Sequence, residues 1–230
     1  MSVVVGPSDD LPFIEAPGAE NWFGAEAVKS LHELNECLIK ALSEDLQRPN
    51  TDTRMRLAIE LRDVLAGLDA AHRSRAASCP ISLIDAGFRD EARWVAVASG
   101  QPTPAGTAGA DGEFAHLRAV QLAQMTLTLA STTAGISAER ACLVFGMSPL
   151  CARVLASLTL HRIQELAERH ADWARPRWEH QPSIWRSLLD LASRPPSRGV
   201  PSVGIRAMQL QLADLTRAPG ICAAIRQIRR

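Results

Sequence analysis

The chain contains no tyrosine and only two lysines, Lys29 and Lys40, so its remaining basic side chains are arginine. It also lacks the sequences that mark most enzymes. GxSxG, GxxxxGK[ST], HExxH and GxGxxG do not occur, which removes the usual nucleophile elbow, phosphate loop, zinc helix and dinucleotide fingerprint. The five cysteines, Cys37, Cys79, Cys142, Cys151 and Cys222, are odd in number, widely spaced and outside any CxxC pattern. That distribution argues against a disulfide framework and reads as a reduced, cytoplasmic chain. His161, His170 and His180 have no second ligand at helical spacing, so neither a metal nor a cofactor is expected. No basic-then-apolar opening resembles a signal peptide, and no uncharged stretch approaches the ~20 residues that span a bilayer. Acids and bases balance at 25 each, so no global field draws the protein to nucleic acid or membrane.

The charge is nevertheless unevenly placed. The first sixty residues are acidic on balance, whereas the last forty hold many arginines against the single acid Asp214. Such a tail is either solvated surface or a contact for a polyanion; in the second case Arg206, Arg217, Arg226, Arg229 and Arg230 are the candidate DNA-phosphate contacts.

Hydrophobic spacing predicts an all-α fold built as helical halves, because no segment alternates as a strand. Residues 1–21 are rich in Pro, Gly and acid and read as a mobile arm. A helical region covers 22–99. Its first helix carries Val28, Leu31, Leu34, Leu38, Ile39 and Leu42 on one face; a second runs from the Asn50–Thr53 caps to about Ala77. Pro80 is expected to start a third helix that Gly87 interrupts, with helix resuming from Phe88 to Ala98. GQPTPAGTAGADG, 100–112, has no large apolar residue and reads as a linker. A second helical domain follows over 113–193, with helices at 114–133 (its apolar pattern carried by Leu117, Val120, Leu122, Leu127 and Leu129), 137–145, 149–157, 160–170 and 183–192, and an Arg-rich segment, 194–230, closes the chain with a helix near 205–216. Laying Gly87 on Gly146 brings Leu68 onto Leu127 and Ala71 onto Ala130, a faint echo that two unrelated Ala/Leu-rich helical segments also produce.

The most informative stretch is ACLVFGMSPLCARVLASLTLHRIQELAE, 141–168. Ala141 belongs to a short helix, Gly146 can take the positive φ of a tight turn, Met147 can pack inward, Ser148 can cap the next helix and Pro149 suits its first turn. Ala152 and Arg153 follow on the second helix. This is the layout of a helix-turn-helix, whose second helix reads bases from its N-terminal end. Arg153 is the only charged residue from Pro149 to Ser157, so residue types favour a packing corner over direct base reading. Trp173, Arg175, Arg177 and Trp178 cluster beyond it. They either close the core or form a protein-contact patch, since Trp and Arg are enriched at interface hot spots.

Residues 118–186 resemble FlhD, a bacterial flagellar transcriptional regulator subunit. The likeness is carried by an apolar helix ending in TLTLAS, then Ala141, Gly146-Met147, Cys151-Ala152, LASLTL at 155–160 and Leu166-Ala167-Glu168, with Arg177-Trp178, His180 and Ile184 continuing it. The resemblance implies a helical, self-associating subunit that joins FlhC to activate flagellar promoters, with FlhC supplying most of the DNA affinity and a cysteine-bound zinc. It implies transcription regulation and DNA binding through a complex, not enzymatic activity. Two departures stand out. The family's inter-subunit disulfide falls on Ala174 here, so that cross-link is absent, and the residues before the match have no FlhD counterpart. The alternative from another class is a helical adaptor that uses the same fold for protein contact without binding DNA.

Overall fold

The computed structural model describes residues 24–47, 55–101, 114, 116–194 and 203–217. The expected arm at 1–21, nearly all of the 100–112 linker and Arg226, Arg229 and Arg230 lie outside the described residues. Within them the chain forms α1 (Ala25–Asp45), α2 (Arg56–Glu60), α3 (Arg62–Ala66), α4 (Ala70–Ala77), β1 (Ile84–Asp85), α5 (Glu91–Ala98), α6 (His116–Ile136), α7 (Ala138–Phe145), α8 (Pro149–Ser157), α9 (Leu160–Arg169), a 3-10 turn (Ala171–Trp173), β2 (Arg175–Pro176), α10 (Pro182–Ser193) and α11 (Val203–Arg217). The protein is all-α, apart from the antiparallel β1–β2 pair, in which Ile84 faces Pro176 and Asp85 faces Arg175. Two-residue strands are too short to leave an alternation in sequence.

Of the stripe expected on α1, Leu31, Leu34, Leu38, Ile39 and Leu42 are at most 1% exposed, while Val28, near the start of the helix, is half-buried. Each such side chain contributes about 1.5–3 kcal/mol of burial. The long helix α6 is the packing centre, touching α1, α7, α8, α9 and the 3-10 turn. Its core face differs from the one read in sequence. Leu122 and Leu127 are buried, but Leu117 is 83% exposed, and Ala119, Ala123, Ala130 and Ala134 complete the buried face. Small residues there let several helices approach one axis closely. Thr126 and Thr133, polar yet buried, donate their hydroxyls to the carbonyls of Leu122 and Leu129, both at 2.7 Å.

The first half departs most from expectation. The helix read from 55 to 77 is three short ones, broken at Leu61 (φ −102°, ψ 8°) and again before Asp69, whose carboxylate accepts from the His72 amide to cap α4. No helix begins at Pro80. Residues 79–90 contain only β1 and turns, and Cys79, Ile81, Ser82, Leu83, Ile84, Ala86 and Phe88 are all buried. A segment enclosed on nearly every side cannot be an amphipathic surface helix, and its backbone must find partners inside the core.

Asn35 supplies many of them. It sits fully buried on α1 and its Nδ2 donates to the carbonyls of Ala77 (3.2 Å), Cys79 (3.4 Å) and Ile81 (3.0 Å), while its Oδ1 accepts from the Leu83 amide (2.9 Å). The extended segment then bonds to the second half: the Ser82 amide donates to Val144 O (2.9 Å), the Arg177 amide to Leu83 O (2.7 Å) and the Ser148 amide to Phe88 O (3.2 Å). Side chains add to this. Arg75 Nε donates to Ala192 O (2.7 Å), Arg118 pairs with Glu44 (2.7 Å) and Arg186 with Asp63 (2.7 Å). The stretches on either side of 100–112 thus share one hydrophobic core.

Asn35→Leu is expected to lower unfolding free energy by about 3 kcal/mol or more, because several buried backbone groups lose their partner at once. Asn35→Asp, which keeps the acceptor for Leu83 but turns an oxygen toward three carbonyls, should cost at least as much. Urea denaturation followed by circular dichroism measures both, and near-wild-type midpoints would show that the segment does not depend on Asn35.

Candidate functional site

The corner forms where α7 meets α8. Ser137 caps α7 by accepting from the Arg140 amide (3.2 Å), and Gly146 ends it in the left-handed conformation (φ 65°, ψ 25°). Gly146, Met147 and Ser148 make the turn, and the helix axes bend by 116° across it. Helix-turn-helix pairs cross at about 90–120° through turns of this length. Ser148 accepts from the Cys151 amide (3.1 Å), and Pro149 opens α8. The left-handed Gly146, the Ser148 cap and Pro149 in the first turn of α8 together make the turn.

Burial shows how the corner is used. Ala141, Met147, Cys151, Ala152 and Leu155 are at most 1% exposed, packed among α5, α6, α7 and α8. Arg153 projects outward, and with it Pro149, Ala156 and Ser157 form the exposed strip of α8. Burial also raises the thiol pKa values of Cys142 and Cys151 and pushes Cys79 up to about 12, which keeps these groups protonated and inert. Among the described residues no single helix is long and apolar enough to cross a membrane, and Ala141, Val144, Phe145, Cys151, Ala152 and Leu155 of the bent pair α7–α8 are buried in this core. No cluster of three or more His, Cys, Asp or Glu suited to a metal occurs among the described residues.

The Trp/Arg cluster needs correction as a contact patch. Trp173 is 3% exposed and Arg177 7% exposed, so both belong to the interior; Arg175 and Trp178 are half-buried. Arg177 is a buried brace. Its Nη2 donates to Phe145 O at the C-terminal end of α7, its Nη1 to Gln211 Oε1 on α11 (2.6 Å), and its carbonyl accepts from Trp185 Nε1 (2.7 Å). A cation at a helix C-terminus meets both the unpaired carbonyls and the negative end of the dipole. Arg206 is exposed on α11; Arg217 ends that helix.

Beside the corner lies a cleft of about 480 Å³, with Gly87, Gly146, Arg89, Arg93, Arg175, Arg177, Trp173 and Trp178 in its lining, together with Asp85, Asp172, Glu179 and His180. Arg89 Nε donates to Gly146 O (3.0 Å), and the Arg93 guanidinium lies 4.5 Å over the Trp173 ring. His170 stacks on the same indole at 4.3 Å, and desolvation there lowers its pKa. No motif in the sequence marked Arg89 or Arg93. The one signal was the alignment of Gly87 with Gly146: both are left-handed, at φ 67° and 65°, and each precedes a capped short helix, α5 behind Asp90 and α8 behind Ser148. The likeness stops there, since Leu68 lies between α3 and α4 while Leu127 lies within α6.

No protein-family model, curated protein or solved structure matches this chain.

A Cβ at position 146 would stand 2.5 Å from Arg177 Nη2 and 2.7 Å from Gln211 Nε2, on a backbone already at positive φ. Gly146→Ala should therefore cost about 2 kcal/mol or more. Gly135→Ala, in α6 with nothing within 4 Å, should stabilise by up to about 1 kcal/mol. Thermal unfolding of the two variants separates these signs.

His32 and His170 both have pKa values lowered from 6.5, chiefly by burial. The unfolded chain takes up these protons first, so stability is complete above about pH 6.5 and falls as pH drops through that value toward the folded pKa values. Asp63 and Glu165, lowered from 3.8 and 4.5 by hydrogen bonds to Arg186 and Arg162, titrate below that window. Melting temperatures between about pH 7.5 and about pH 5 should decline, and less steeply in His170→Gln; equal slopes would remove His170 as a contributor.

Proposed function

We propose that this protein is a transcriptional regulator subunit resembling FlhD, acting on flagellar or motility promoters together with an FlhC-type partner. The observation that supports it best is the capped α7–α8 corner, with its three-residue Gly-Met-Ser turn and 116° bend. The corner coincides with the stretch that carries the FlhD resemblance. Its chemistry fits a subunit that adds modest DNA contact to a partner's larger one. Arg153 is the charged side chain on the exposed strip of α8, and Arg206 offers a second exposed guanidinium on α11. Guanidiniums of this kind anchor phosphates, and each such contact contributes to the salt dependence of binding. The Arg-rich end, with Arg217, Arg226, Arg229 and Arg230, supplies further phosphate contacts in this reading.

The alternative, a helical adaptor that does not touch DNA, draws on the same strip. Pro149, Ala156 and Ser157 are small or uncharged, and such a surface suits a protein partner as well as a groove.

Fluorescence anisotropy of the full chain with a flagellar promoter fragment and a scrambled one, with and without FlhC, over a salt series, tests the proposal. Promoter-selective binding that tightens with FlhC is expected, with Arg153→Ala weakening it by about 1 kcal/mol and lowering the salt slope by about one. No sequence preference and no effect of FlhC at any salt would put the adaptor reading in front.

A further inference from the structure

We propose that the cleft between the Gly87 and Gly146 turns is a binding site for a small phosphate ester that also carries a hydroxyl or amino donor. The site stands apart from the regulatory reading: its binding chemistry is the same whether or not the corner meets DNA.

The volume, about 480 Å³, falls within the ~300–1,000 Å³ of small-molecule sites. Four guanidiniums line the cleft against the three carboxylates of Asp85, Asp172 and Glu179, so it is polar with a positive excess. Two of the arginines lack a close carboxylate partner, although Arg175 Nε donates to Asp172 O (3.1 Å) and Arg93 lies over the Trp173 ring. Arg93 lies 3.4 Å from Asp90 and Arg175 lies 3.6 Å from Glu179, whereas Arg118, Arg162 and Arg186 elsewhere on the chain meet their carboxylates at 2.6–2.7 Å. Charge-assisted pairs close to about 2.7–2.9 Å when geometry permits. At these distances neither guanidinium is in a close charge-assisted pair, so each can still pair with an incoming oxyanion.

The acidic part of the lining defines the rest of the ligand. Asp85 and Asp172 stand at the same cleft as the arginines, and a carboxylate only accepts, so the ligand's second group is a hydroxyl or amino donor. Trp178, at the same cleft, has φ 56°, an uncommon backbone for a bulky residue. Strain of this kind gathers at ligand sites, where the surrounding structure holds it in place. The cleft also reaches the corner directly, because Arg89 and Arg177 bond to the carbonyls of Gly146 and Phe145. Occupancy is therefore expected to stiffen the α7–α8 turn.

Isothermal titration calorimetry on the full chain, with inorganic phosphate, ribose, ribose 5-phosphate and adenosine monophosphate, tests the proposal. At least one of the two phosphate esters should bind about tenfold or more tightly than phosphate or ribose alone, and the difference between them shows whether sugar or base supplies the donor. Arg93→Gln and Arg175→Gln should each weaken that binding about tenfold with the circular dichroism spectrum unchanged, and Arg175→Lys should recover part of the loss. Hydrogen exchange at Gly146–Ser148 should slow in the presence of the tighter ligand. Absence of heat with all four compounds at millimolar concentration would overturn the site. So would binding that both glutamine variants leave untouched, and inorganic phosphate binding as well as either ester would overturn the donor requirement.

Discussion

The fold depends on the set of hydrogen bonds that a single buried amide, Asn35, makes to the segment from Ala77 to Leu83. An extended chain passing through a helical core has no regular ladder to satisfy its amides and carbonyls, and each one left unpaired is costly. Asn35 provides both a donor group and an acceptor on one rigid helix, so α1 acts as a template for the segment. Further backbone groups of this stretch, at Ser82, Leu83 and Phe88, bond onward to Val144, Arg177 and Ser148. The corner, the β1–β2 pair and the cleft are thereby held relative to α1, and through α1 to α6.

Arginine does for the second half what Asn35 does for the first. Arg177, Arg89 and Arg75 all donate to backbone carbonyls, of Phe145, Gly146 and Ala192. A planar guanidinium can serve two acceptors in fixed directions, which a lysine ammonium on a flexible stem does less well. That use is one physical context for a chain whose basic residues are almost all arginine. It also explains why Gly146 is confined twice, by its left-handed backbone and by the guanidinium lying against its Cα.

Much of the second half was legible in sequence because its signals are local. Ser137, Ser148 and Thr159 each cap the helix they precede, Gly146 ends α7, and Pro149 and Pro182 open α8 and α10, so residue type alone locates these boundaries to within a residue or two. The segment from 79 to 90 was misread as helix because its apolar residues, dense and irregular, fit a helical stripe as readily as an enclosed strand. Spacing alone places Leu117 in the core, yet at 100° per residue it points to the opposite side of the helix from Ala119 and Leu122. Trp173 and Arg177 could be read as core or as surface contact, and only packing around the Arg177–Phe145–Gln211 contacts settles their place.

The sequence by itself determined the helical class, the caps and turn of the corner, and the scarcity of charge on α8, because periodicity, capping and left-handed glycine act over a few residues. Only the tertiary structure decided that the two halves share a core, that residues 79–90 pass through it as turns and the short strand β1, and that Arg89, Arg93, Arg175 and Arg177 converge on one cleft. Those outcomes rest on contacts between residues far apart in the chain, such as Asn35 with Leu83 and Arg177 with Phe145. No local pattern encodes such pairs; they arise when buried backbone groups and charges find the partners that make burial affordable.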